Sequence, residues 1–174
     1  CVKSIASALG FSFCGVSTAA YLEEEAPKLE TWLNRGYAGK MAYLEKNLDL
    51  RLDPRKLVPG AKSVVSLMYN YFPKEELPES GFKISKYAYG EDYHGVIKDL
   101  LYEMVSRLRE QIGDIQGRVF VDSAPVMERT WAARSGLGWI GKNSLLLNKQ
   151  SGSYFFLAEL ILDLELEPDG PIRD

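Results

Sequence analysis

At 174 residues the chain is long enough for one domain with a substantial core, and its net charge of −3 leaves no overall positive field for nucleic acid. Two cysteines, Cys1 and Cys14, exclude a disulfide framework, and a single histidine excludes a His-based metal cage. No apolar run has the length of a membrane span or the form of a secretory leader, so the reading is a cytoplasmic protein that engages neither membrane nor DNA. The first residue is not Met and Glu167–Asp174 is loop-like, which reads as a piece of a longer polypeptide.

Val2 to Leu9 carries apolar residues at helical spacing and stops at Gly10. Phe11 to Val16 reads as a strand in which Cys14 is a small buried hydrophobe. Pro27 to Asn34 reads as a helix whose acidic entry, Glu23 to Glu25, suits the helix dipole. Gly39 to Asn47 reads as a short helix turning Met41 and Leu44 inward. Leu48 to Gly60 is irregular, with one helical turn after Asp53-Pro54. There Arg51 is either part of a polar connector or a cation at the rim of a pocket. Ala61 to Tyr71 is the clearest strand.

Phe72 to Gly81 reads as a loop and Phe82 to Tyr89 as a further strand. Asp92 then caps a long helix, Tyr93 to Ile112, with Val96, Leu100, Leu101, Met104, Val105, Leu108 and Ile112 as its core stripe. His94, in the first turn, reads as a capping or packed residue. Val119 to Val121 is a buried strand ending at Asp122, and a helix is expected from about Ser123 to Gly136. Asp122 has two readings: a cap for that helix, or a proton donor tuned by burial and by Arg129. Glu128 and Asp163 read as a helix-surface and a strand-end residue. Ser144 to Leu147 and Tyr154 to Leu164 are expected to form a C-terminal antiparallel hairpin. The fold class is α/β, with α+β possible: one layered domain, a mixed sheet flanked by helices.

Two glycine motifs fail on context. Gly136 to Gly141 matches GxGxxG, but a helix precedes it and a strand follows, the reverse of a dinucleotide site. The same residues approach a phosphate-binding loop, yet Asn143 stands where Ser or Thr would hold magnesium. What survives is a close-approach turn carrying Lys142.

Three ordered blocks carry a resemblance: KYAYGEDYHGVIKDLL, VDSAPVMERTWAARSGLGWIGKNS and GSYFFLAELILDLELEPDGP. With Arg51 and KSVVSLMYNY ahead of them, they resemble the N-terminal catalytic part of the epoxyqueuosine reductases. The resemblance implies reduction of the epoxide of epoxyqueuosine at the tRNA wobble position, with cobalamin as cofactor and two [4Fe–4S] clusters feeding it electrons. Asp122 is then the acid that protonates the opening oxygen. Arg51, Ser85, Asp122, Arg129, Lys142 and Asn143 match positions at or near the corrin, with Leu146 and Leu157 packing on the macrocycle. Tyr93 and His94 match the family's Asp-Tyr-His block without an assigned role. The family's cluster-binding module, expected after residue 174, needs four thiolates per cluster, so the two cysteines here imply no cluster in this piece. Alone it is expected to be inactive and to bind cobalamin weakly at best. The alternatives are a corrinoid reductase acting on another substrate, as in reductive dehalogenases, and a non-enzymatic cobalamin- or flavin-binding module.

Overall fold

The computed structural model describes residues 1–75 and 82–172. Its centre is a four-stranded sheet in the order β1 (Phe13–Thr18), β2 (Ser63–Asn70), β6 (Phe155–Leu162), β3 (Gly117–Phe120). All of its pairings are antiparallel, so the α+β form of the expected fold is the one adopted. The inner strands β2 and β6 are covered on both faces and read as nearly unbroken apolar runs, which is what two-sided burial demands.

On one face lie α1 (Val2–Ala8) and α5 (Tyr93–Ile112). Ile5, Ala6, Ile97, Leu101, Met104 and Leu108 meet Val65, Leu67, Leu160 and Leu162 there. Several of these side chains are fully buried, and each large one contributes about 2 kcal/mol by leaving water. The stripe of α5 is rotated from the expected one: Ile97 is buried at its centre, whereas Ile112 ends up exposed. Asp92 caps α5 as expected, accepting from the His94 amide at 3.0 Å.

The opposite face is covered by α6 (Glu128–Arg134), flanked by α2 (Ala26–Asn34), α3 (Leu48–Leu52) and α4 (Pro54–Leu57). Trp131 of α6 is buried against Val64, Phe120 and Ile161. The helix reaches this close because β1 carries Gly15: a Cβ there would lie 2.2 Å from the Ser135 carbonyl oxygen. The turn after Asp53-Pro54 forms as α4, with the Asp53 carboxylate accepting from Arg55 N. The helix α3 just before it lacked any periodic signal because it is barely more than one turn long.

Three expectations are corrected. Residues 39–47 contain only a 3-10 turn, Ala42–Leu44, and Met41 is exposed rather than inward. Residues 82–89 are not a strand: they lie beside no sheet edge that pairs with them, a 3-10 turn spans Lys86–Ala88, and Phe82 and Ile84 are exposed. The loop expected over 72–81 falls partly outside the described residues. The C-terminal hairpin does not form as drawn. Instead β5 (Leu146–Leu147) pairs with β4 (Trp139–Ile140), and β6 inserts between β2 and β3. The glycine-rich turn therefore leads from a helix into a small hairpin, which is why neither nucleotide motif is built.

Candidate active site

The chain leaves β3 at Phe120 and turns sharply at Asp122, whose φ of 57° is left-handed. A side chain there costs on the order of 1 kcal/mol, least for Asp and Asn. Two contacts hold the strained residue. Its amide donates to Glu128 Oε1 at 2.6 Å, and its carboxylate Oδ2 accepts from the Tyr93 hydroxyl at 2.5 Å. Helix α6 starts only at Glu128, after the bends at 122–125, so Asp122 is not its cap. The capping reading falls.

Tyr93 and His94 are placed by the capped first turn of α5. The Tyr93 ring stacks on Phe156 at 3.9 Å and on His94 at 4.0 Å. Burial, reinforced by the bond to Asp122, pushes the Tyr93 phenol well above its ordinary value, so it stays a donor. His94 Nδ1 lies 2.8 Å from Asp92 Oδ1, and its Nε2 lies 3.6 Å from Asp122 Oδ2. The His94 hydrogen bond holds the Asp92 carboxyl below its usual range. Asp122 itself opens outward, with 58% of its side chain exposed, so a ligand can reach the carboxylate from solvent.

Behind Asp122 the setting changes. Burial raises the Glu128 carboxyl to about 7, against the pull of its bond to the Asp122 amide. Glu159, in the middle of β6, is fully buried, and neither carboxyl oxygen has a hydrogen-bond partner among the described residues. Burial first, and then the charges of Glu128 and Asp122, keep it protonated far above the ordinary carboxyl range. Both residues escaped the sequence reading: Glu128 is no surface residue, and Glu159 was not singled out. A visible signal existed for Glu159, the one charge within FFLAELIL.

Beside this carboxylate cluster lies a cleft of about 580 Å³. Leu29, Trp32, Tyr43 and Met127 form much of its wall, and Arg51, Glu128 and Arg129 supply its polar groups. Arg51 Nε is buried there with no partner among the described residues. Arg129 donates to the Ser144 carbonyl and also borders a smaller recess, about 90 Å³, lined by Met68, Leu146, Phe155 and Leu157. Arg51 and Arg129 thus share the cleft, and Arg129 meets Leu146 and Leu157 at the recess. Ser85, Lys142 and Asn143 are exposed on loops and line neither space; Asn143 Oδ1 accepts from Leu145 N inside the β4–β5 turn. Arg134 is directed elsewhere, 3.5 Å from Glu25. Among the described residues no group of three or more His, Cys, Asp or Glu is placed to hold a metal ion, and no helix is long and apolar enough to cross a membrane.

The family model described as "Epoxyqueuosine reductase QueG, DUF1730" matches residues 51–123, a span that includes Arg51 and Asp122. Curated epoxyqueuosine reductases of Leadbetterella byssophila and Cyclobacterium marinum are 64% and 67% identical, over 99% and 98% of this chain and 57% and 56% of their own length. The structure of the Streptococcus thermophilus epoxyqueuosine reductase superposes with a TM-score of 0.91 at 28% identity, covering 99% of this chain and 48% of that one. An epoxyqueuosine reductase holding an epoxyqueuosine-modified tRNA-Tyr stem loop superposes with a TM-score of 0.89 at 28% identity, and covers 99% and 47%. The Bacillus subtilis enzyme, with its catalytic aspartate loop swung out of the active site, gives 0.87 at 27%, again over 99% and 47%. A B12-dependent reductive dehalogenase shares the fold alone, with a TM-score of 0.60 at 16% identity over 99% of this chain and 20% of that one. The chain spans about half the length of the curated relatives it matches, and in sequence and fold it resembles the N-terminal part of the epoxyqueuosine reductases.

Proposed function

We propose that this chain is the cofactor- and substrate-facing part of an epoxyqueuosine reductase, a cytoplasmic oxidoreductase that reduces the epoxide of epoxyqueuosine in tRNA to queuosine. The observation that carries this reading is the outward-facing Asp122 carboxyl, bonded by the Tyr93 hydroxyl while Glu128 accepts from the Asp122 backbone amide, beside a cleft with an unpartnered buried arginine nitrogen. Opening an epoxide requires a proton on the ring oxygen, and a carboxyl open to solvent and fixed in orientation can supply it. In this reading Asp122 delivers that proton, Tyr93 fixes the orientation of its carboxyl, and His94 sets the charge at its rim.

The cleft and recess fit cobalamin in chemical character: apolar walls for a macrocycle's faces and guanidinium groups for its polar edge. Cobalamin, when bound, supplies the electrons. Arg51 and Arg129 would hold its edge, and Leu146 and Leu157 would pack on its face. Ser85, Lys142 and Asn143 would act from the loops around it. Two [4Fe–4S] clusters, assigned to the portion of the relatives that this chain does not span, would feed it. The tRNA partner is inferred from the stem loop held by a relative.

The test takes a protein of the relatives' full length carrying this sequence, titrates it with cobalamin and measures queuosine in epoxyqueuosine-containing tRNA. Wild type should convert the nucleoside, and Asp122→Asn should bind cobalamin equally well yet lose at least about a hundredfold in rate. A normal rate in Asp122→Asn would remove Asp122 as the acid. Dehalogenation of an aryl halide without any action on tRNA would replace the substrate, and cobalamin or flavin binding without turnover would make the chain a carrier.

A further inference from the structure

Strands β2 and β6 continue past their last sheet pair as an aromatic row. Asn70 pairs in register with Phe155 and Tyr69 with Phe156, and just beyond them the Tyr71 amide donates to the Tyr154 carbonyl oxygen at 3.1 Å. Side chains alternate along a strand, so Tyr71 and Tyr154 fall on the face of Phe156, the one that carries α5. The rings then meet in sequence. Tyr93, which bonds the Asp122 carboxylate, stacks on Phe156; Phe156 meets Tyr71 at 4.7 Å, Tyr71 meets Tyr154 at 5.7 Å, and Tyr154 meets Phe72 at 5.1 Å. The row starts half-buried at the proposed acid and ends in water, where Tyr154 is 42% and Phe72 48% exposed. At that end Lys86 Nζ stands 4.1 Å from the centre of the Phe72 ring. Large rings left in water as one contiguous group mark a surface that a partner covers.

We propose that Tyr154 and Phe72, braced by Tyr71, form a stacking platform for unpaired bases of an RNA loop, those flanking the nucleoside presented to Asp122. The inference deepens the epoxyqueuosine reading above and rests on it. A nucleoside whose base must reach a side-chain carboxyl leaves the stack of its own strand, and its neighbours lose a stacking partner. Every base has a π face, so exposed rings receive those neighbours whatever their identity. Rings already held by one another also lose little freedom when a base settles on them. Two features favour RNA over an apolar protein surface as the occupant. The row is continuous with the Tyr93–Asp122 contact, so a strand laid along it leads into the site. Its outermost ring also carries the Lys86 cation, which an apolar protein surface would have to strip of water and a ribose-phosphate chain would meet with a phosphate. Tyr154 and Phe72 are thus binding residues for the strand beside the reacting nucleoside, and they set where that nucleoside comes to rest.

The test uses the longer, cobalamin-loaded protein and an RNA stem loop carrying 2-aminopurine, whose fluorescence falls on stacking, at a loop position flanking the wobble nucleotide. Wild type should quench the probe at one of the two flanking positions. Tyr154→Leu and Phe72→Leu keep apolar bulk but lose the ring face. Each should relieve the quench, weaken binding about tenfold and raise KM for tRNA more than it lowers kcat. Tyr154→Phe and Phe72→Tyr keep a ring and should quench and bind as wild type does. The slope of log Kd against log salt should be unchanged in the Leu variants, because stacking releases no counterions. No quench in wild type, or unaltered quench and affinity in both Leu variants, overturns the platform. So does a lowered melting temperature with unaltered RNA binding, which would assign the row to a contact within the longer protein. Wild type that quenches the probe in a ring-dependent way but never converts epoxyqueuosine keeps the platform and sinks the reduction reading. Wild type that converts it while both Leu variants bind as tightly sinks the platform alone.

Discussion

Tyr93 and Asp122, 29 residues apart, meet at 2.5 Å because one stands in the capped first turn of α5 and the other at the left-handed end of β3. The phenol donates and the carboxylate accepts. Tyr93→Phe keeps the stack on Phe156 and removes only the donor, so the thermal midpoint should fall by several degrees and no more. A hydrogen bond to a charged group contributes about 1.5–3 kcal/mol, which sets the expected fall in kcat at about tenfold to a hundredfold. Steady-state kinetics on epoxyqueuosine-containing tRNA, beside a melting curve, separate the two effects.

Arg51 gives a prediction of opposite sign for stability and binding. Its Nε is buried without a partner among the described residues, so the chain without cofactor carries an unrelieved cost there. Arg51→Met should leave urea stability of the chain unchanged or raise it by about 1 kcal/mol, while weakening cobalamin binding in an absorbance titration. A loss of stability with unchanged binding would make Arg51 a structural residue.

Glu128 sets a pH dependence. Its folded-state value, about 7, is above the ordinary 4.5, so between those limits the native state holds more proton than the unfolded chain. Stability should therefore fall as pH rises from about 4.5 to 7, the reverse of a salt-bridged carboxylate. Urea midpoints measured across that window should slope downward in wild type, and Glu128→Gln should flatten the slope.

Gly15 tests how α6 is seated. A Cβ there would meet the Ser135 carbonyl oxygen at 2.2 Å, and backbone does not yield cheaply. Gly15→Ala should cost about 2 kcal/mol or more and shift Glu128, at the other end of the helix, away from the Asp122 amide. Differential scanning calorimetry reads the first effect and hydrogen exchange at Asp122 N the second.

Much of this was legible in the sequence. Val2–Ala8 and Tyr93–Ile112 announce themselves by apolar spacing and by Gly10 and Asp92 as punctuation, and β2 by its branched residues. The segment 82–89 alternates as a strand should, but alternation gives a strand nothing to pair with. Strands β2, β3 and β6 were each found while their pairing was not, because pairing is decided by which edges are free in three dimensions. On local chemistry Asp122 read more readily as a cap than as an acid, since the turn chemistry of Ser123-Ala124-Pro125 resembles a helix entry; the start of α6 at Glu128 removes the cap. Glu159 lay outside the reading because burial of a charge depends on the layer above it.

The place of β6 also has a consequence in time. Strand β3, which leads into Asp122, pairs among the described residues only with β6, which is synthesised after β1, β2 and β3. Until residues 155–162 emerge and insert, β2 has an open edge and β3 has no neighbour. Long-range insertion of this kind slows folding, because the loop must close before any contact rewards it. The nascent chain therefore shows an unpaired, strongly apolar edge until β6 emerges, and it acquires the geometry around Asp122 in the same event that seals the sheet.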